Sequence, residues 1–378
     1  MKNVFTFILL FFSFNISAQK DSLLLSGQRV KNYSFGANYF GGKILIHTPK
    51  IYLQTPAYSQ ALEFNFNKQT LGDAAWQQRF GFPETGLSVC LAHHGSSQLG
   101  MAAGLYPTIQ FRIINLKKGY WYWKLGGGIA INTKSWKRTP AADSMNNIVG
   151  STLNNFTMIQ TGVRVKLATR WTLQTGVHFY HVSNAGARKP NFGINTMGAH
   201  IGVNYHPKGF VNHFEKSTAA AGKRENPLNA GIQSAVSFAE DKTADGPIYA
   251  NYNLTLFACK MYRGKNRFSL GLEGTYNSKL YSLFKNTYQH IGKERANAWQ
   301  YACFAAHEFV FGKIGLPLQL GYYFNKPNGG EPIYEKLGIN YHFYHQKNKW
   351  VKDMYILAQL KTHYATADFA EFGLGVLF

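Results

Sequence analysis

His181, Ser183 and Asn195 are the side chains whose types and spacing suggest covalent chemistry in this 378-residue sequence. His181-Val182-Ser183-Asn184-Ala185-Gly186 leads into Lys189-Pro190-Asn191-Phe192-Gly193 and then Asn195. A serine hydroxyl becomes a nucleophile when an adjacent base takes its proton. An imidazole serves as that base when a third group fixes its tautomer and orientation. If 171–184 and 194–206 are strands joined by this segment, alternation puts His181 and Ser183 on one face. That face also carries Trp171, Leu173, Val177 and Phe179, and Asn195 has the parity of Met197, Ala199, Ile201, Val203 and Tyr205. A polar trio among apolar neighbours is costly unless its members bond to one another or perform a function. The competing reading is a histidine and a serine lying just above an apolar band.

The elements that must position these residues read as strands throughout. Aromatic residues make up 16% of the chain, charged residues only 15%, and there are 37 glycines. So many aromatics argue against disorder, and beyond the first 18 residues no apolar run approaches the ~18 residues of a spanning helix. The period is two. In 370–378, Phe372, Leu374, Val376 and Phe378 share one face, with Glu371, Gly373 and Gly375 on the other. Segments of about ten residues with an apolar face opposite a polar or glycine face mark transmembrane barrel strands. A closed barrel also satisfies every backbone group in lipid. The expected fold is therefore all-β, a transmembrane antiparallel β-barrel of about sixteen strands, as one large barrel or two eight-stranded halves. A soluble β-sandwich is the alternative. Clusters such as Tyr120-Trp121-Tyr122-Trp123 and Tyr322-Tyr323-Phe324 are expected to form interfacial girdles. The last strand, ending in Phe378, is like that of outer-membrane barrels.

Lys2 followed by apolar Val4 to Phe14 and small Ser17-Ala18 suggests an export signal over 1–18, which would place the chain in the bacterial outer membrane. The expected organisation is then a first barrel half over 19–206, a basic linker over 207–227 and a second half over 228–378. With both termini periplasmic, loops 134–155 and 282–295 face outward and connections such as 169–170 and 263–265 face inward; 68–84 is long on the inward side. Lys134, Lys137, Arg138, Lys285, Lys293 and Arg295 then lie in outward loops, where phosphates of lipopolysaccharide or plain solvent could face them. The net charge is +22, yet nucleic acid is an unlikely partner for an exported barrel. Cys90, Cys259 and Cys303 are three widely spaced residues in apolar runs, more like small apolar side chains than a disulfide framework.

The segment HVSNAGARKPNFGIN resembles the signature of the lipid A 3-O-deacylase family (PagL-type, also acyloxyacyl hydrolases), outer-membrane barrels that release an ester-linked acyl chain from lipid A. The family pattern is His-x-Ser-Asn, a short loop with Asn-x-Gly, then an acidic residue on the final strand. The resemblance covers about 25 residues, His181 to Tyr205. It implies that His181 is the general base and Ser183 the nucleophile, that Asn184 and Asn191 help to stabilise the oxyanion, and that Gly193 is the loop glycine. The departure is Asn195, which stands where the family carries its acidic residue. An amide can orient the imidazole but brings no charge to stabilise its cation. Lipid A and outer-membrane lipids are the implied partners, with no cofactor and no metal.

The other candidates are weaker. His93 and His94 are adjacent and should face opposite sides. His307-Glu308 lacks a second histidine at helical spacing, and Gly126-Gly127-Gly128 sits between strand segments rather than before a helix. His363 and Glu371 have inward parity and read as a lumenal polar cluster together with Asp368, and Ala365 stands where a serine would be required. A non-catalytic barrel (a pore, or a structural or binding protein) that retains the hairpin is the rival reading.

Overall fold

The computed structural model describes residues 32–138, 144–211, 214, 227–241, 243–346, 349–364 and 366–378. The expected signal over 1–18, most of the expected linker and Ala365 lie outside the described residues. Sixteen antiparallel strands form two closed barrels of eight. The first consists of β1 (Tyr33–Ile44), β2 (Ser59–Gln69), β3 (Glu84–His93), β4 (Met101–Leu116), β5 (Gly119–Asn132), β6 (Leu153–Lys166), β7 (Trp171–Ser183) and β8 (Ile194–Tyr205). Pairing of β1 with β8, from Phe35↔Tyr205 to Ile44↔Thr196, closes it. The second consists of β9 (Leu228–Glu240), β10 (Ile248–Tyr262), β11 (Asn266–Asn277), β12 (Trp299–Phe311), β13 (Ile314–Asn325), β14 (Ile333–His345), β15 (Asp353–His363) and β16 (Thr366–Leu377), closed by β9 against β16.

The pattern is that of a protein turned outward to lipid. Along β2, Leu62, Phe64 and Phe66 are exposed, while Glu63, Asn65, Asn67 and Gln69 are buried. An eight-stranded barrel leaves room inside only for side chains, and both lumens are filled by charge pairs. In the first, Lys124 Nζ lies 2.7 Å from Glu63, which also accepts from the Tyr106 hydroxyl at 2.7 Å. Nearby, Arg164 pairs with Glu84 at 2.7 Å. In the second, Lys336 bridges Glu273 and Glu371 at 2.7 Å each, and Arg267 bridges Glu308 and Asp353 at 2.9 Å each.

One expectation changes. The aromatic clusters divide by parity: Trp121 and Trp123 face out, but Tyr120 and Tyr122 are fully buried in the lumen. Likewise Tyr322 and Phe324 are exposed and Tyr323 is buried. Adjacent strand residues cannot share a face, so only alternate rings are available to a girdle. Strand β11 stops at Asn277, whose side chain accepts from the Leu280 N–H at 3.1 Å and caps α2 (Ser278–Asn286). A side-chain acceptor at this position offers the backbone a helix in place of further ladder. Glu371 lies inside, and past a β-bulge between Lys361 and Thr362 the His363 ring stacks on buried Tyr323 and lies 2.6 Å from Asp368.

The long connection 68–84 contains α1 (Ala75–Arg79). It reaches the second barrel: Phe80 packs against Phe311 with centroids 4.2 Å apart and ring planes tilted by 42°, and Arg79 donates to the Gly264 carbonyl at 2.8 Å.

Candidate active site

Strands β7 and β8 run antiparallel with His181 opposite Asn195. On β7, Thr172, Gln174, His178, Tyr180 and Val182 are buried on the lumen side, so His181 and Ser183 belong to the outer face. Asn195 shares the outer parity of Met197, Ile201 and Val203, all exposed. The structure brings the three together in one line. Ser183 Oγ is 2.7 Å from His181 Nε2, and His181 Nδ1 is 2.5 Å from Asn195 Oδ1. With Asn195 Oδ1 as acceptor, His181 carries its proton on Nδ1 and leaves Nε2 free to accept from the serine. That is the tautomer a general base requires.

The hairpin loop 184–193 is shaped by its asparagines. The Asn184 side chain accepts from the N–H groups of Gly186 at 3.1 Å and Arg188 at 3.3 Å. Its amide donates to Ser151 Oγ and to the Arg188 carbonyl, both at 3.0 Å. Both amide hydrogens are thus committed to the loop. Asn191 accepts from the Asn184 N–H at 3.1 Å through its oxygen. Gly193 adopts φ +77°, and a Cβ there would lie 2.6 Å from His181 Cε1 and 3.2 Å from Ser183 Cβ. Only a glycine lets the loop pass this close beneath the pair.

Neighbouring segments hold the loop from both sides. From the β5–β6 connection, the Ile148 carbonyl accepts from the Gly193 N–H at 2.9 Å. From the second barrel, buried Glu240 accepts from the Arg188 guanidinium at 3.1 Å and from the Lys189 N–H. Burial pushes the Lys189 ammonium below the usual lysine range; the like charge of Lys279 adds to this, and Asp368 and Glu240 oppose it.

Ser151, Glu240 and His47 escaped the sequence reading. His47, exposed just past the end of β1, has Nδ1 2.9 Å from Asn195 Nδ2. These contacts join residues 33, 52 and 148 positions apart, and no local pattern signals them. Among the described residues no cluster of three His, Cys, Asp or Glu is placed to hold a metal ion. His93 is exposed and His94 buried, His307 stacks on Phe268, and Glu308 lies in the second lumen.

Residues 60–204 match the family described as lipid A 3-O-deacylase (PagL), and residues 216–378 match that described as acyloxyacyl hydrolase, C-terminal domain. No curated protein matches the chain. Among solved structures, one mutant of the Rh. blastica porin is 10% identical over 92% of this chain and 99% of its own, with a TM-score of 0.19. Another is 11% identical over the same shares, also at 0.19. Superpositions that poor carry no argument here.

Proposed function

The chain belongs to the lipid A 3-O-deacylase (PagL) family, and from that premise we propose an outer-membrane esterase that removes an acyl chain from lipid A by a Ser/His mechanism. The family and the closed barrels together point to the outer membrane. In this reading Ser183 Oγ attacks the acyl carbonyl carbon and His181 Nε2 takes the hydroxyl proton. The ester C–O bond breaks, and His181 returns the proton to the departing sugar oxygen. A water from the headgroup layer then attacks the acyl-serine, with His181 again as base, and the fatty acid leaves. Asn195 holds His181 in the required tautomer. The Asn191 amide and backbone N–H groups stabilise the oxyanion. The outward basic loops, among them Lys134, Lys137 and Arg138, meet the phosphates of the substrate.

One observation carries this reading: the hydrogen-bonded line Ser183–His181–Asn195 on the outer face. That face is where the acyl chains of a lipid substrate run along the barrel wall. The filled lumens speak against the rival pore. Ser183→Ala is the test, read as fatty acid release from purified lipopolysaccharide and as lipid A mass. Release should fall to background while the barrel stays folded on a heat-modifiability gel. A lipid A profile left unchanged by wild type and variant alike would leave the non-catalytic barrel as the better reading.

A further inference from the structure

We propose that His47 is a positioning residue of this site, acting through Asn195 to fix which end of its carboxamide faces His181. The proposal rests on the Ser/His reading above. A carboxylate has two like oxygens and presents an acceptor to the imidazole whichever way it turns. A carboxamide does not. With Oδ1 toward His181, the imidazole proton sits on Nδ1 and Nε2 can accept from Ser183. With the amide reversed, Nδ2 would donate to His181 Nδ1. The imidazole proton would then move to Nε2, and the base could no longer take the serine proton.

The structure supplies what breaks this tie. Beyond β1, the Leu45 N–H donates to the Asn195 carbonyl at 2.7 Å, extending the β1–β8 ladder and bringing the following residues alongside the site. His47 Nδ1 then lies 2.9 Å from Asn195 Nδ2. The backbone carbonyl of Leu45 is farther from this nitrogen, at 3.5 Å. An unprotonated Nδ1 is an acceptor. It pairs with the amide NH2 and sends the amide oxygen to His181, so the line runs Ser183, His181, Asn195, His47.

The test is a double-mutant cycle, followed by steady-state release of fatty acid from lipopolysaccharide in detergent micelles. His47→Ala removes the acceptor and lets the carboxamide populate both orientations. Since one hydrogen bond sets the preference, kcat should fall about fivefold to tenfold with KM unchanged. His47→Gln keeps an acceptor oxygen and should restore most of the loss. In an Asn195→Asp background the two side-chain oxygens are alike, and adding His47→Ala should change kcat no further. An equal loss in both backgrounds would reduce His47 to a structural contact and overturn the proposal, as would no loss in the native background. Ser183→Ala is run beside these. If it silences release while His47→Ala does not lower kcat, the inference alone fails; if Ser183→Ala leaves release intact, the Ser/His reading fails and the inference with it.

Discussion

Asn195 Oδ1 stands 2.5 Å from His181 Nδ1, a neutral amide where a carboxylate would also stabilise the imidazolium that the proposed attack by Ser183 would form. The orienting contact is present and the charge is missing. Asn195→Glu should therefore keep or raise the rate of acyl release. Asn195→Leu, which offers no acceptor, should lower kcat on the order of 10²- to 10⁴-fold, the range seen when an orienting group is lost. Steady-state kinetics on lipopolysaccharide distinguishes the two. Equal activity of wild type and Asn195→Leu would remove Asn195 from the mechanism.

Gly193 gives a steric test of the same site. An added Cβ at φ +77° would meet His181 Cε1 at 2.6 Å, and the backbone conformation itself is strained for an L side chain. Gly193→Ala should displace the imidazole from Ser183. A shift of that kind costs about 10²-fold in rate, while the lumen networks keep the barrel folded. The comparison to make is fatty acid release against the heat-modifiable band shift. A fully active Gly193→Ala would mean that the loop does not press on His181.

Much of the architecture was legible because lipid enforces a simple rule. Apolar residues alternate outward, as Leu62, Phe64 and Phe66 do, and the alternation located all sixteen strands. The choice between one barrel and two was not legible. It depends on β1 pairing with β8 and β9 with β16, and repeating period-two segments carry no closure signal. Tyr120 and Tyr122 were misplaced because an aromatic run looks like a girdle until parity is applied residue by residue. At the site, His181, Ser183 and Asn195 could be aligned from strand parity across one hairpin. His47 and Glu240 could not, since they arrive from a neighbouring stave and from the other barrel.

The lumen pairs carry a stability prediction. Glu63 and Lys124 are both almost inaccessible, 2.7 Å apart. Glu63→Leu would leave a buried ammonium without its partner, a change that costs about 3–5 kcal/mol. Replacing both, as Glu63→Leu with Lys124→Met, should recover most of that loss, because an apolar pair needs no charge compensation. Thermal unfolding in detergent measures both variants. A double variant no more stable than the single one would show that the network as a whole, rather than this pair, holds the lumen.

Acid should loosen the turn after β3. His94 is fully buried and neither ring nitrogen has a partner among the described residues. Burial, and to a lesser degree His93, lower its pKa from 6.5 to about 4. A histidine whose folded pKa is depressed favours folding while neutral. Its stabilisation is complete above 6.5 and is lost as the pH falls toward 4, by about 3 kcal/mol in total. His94→Leu should flatten this part of the stability profile between pH 6.5 and 4. A profile identical to wild type would exclude His94 as its source.

Glu240 makes the second barrel part of the support of the loop that follows Ser183. Its carboxylate is buried on β9 and accepts from Arg188 and from the Lys189 N–H, while Arg188 is bonded through its own backbone to Asn184, next to Ser183. Removing the carboxylate leaves each barrel with its own closure and lumen network but frees the loop at its middle. Glu240→Ala should lower kcat about threefold to tenfold, the worth of one or two hydrogen bonds, and speed proteolysis between 184 and 193. Glu240→Gln still offers an oxygen to the Lys189 N–H and should lose less. If Glu240→Ala instead shows wild-type kcat and proteolysis, the first barrel holds its loop unaided, and the second barrel must be explained by something other than support of this site.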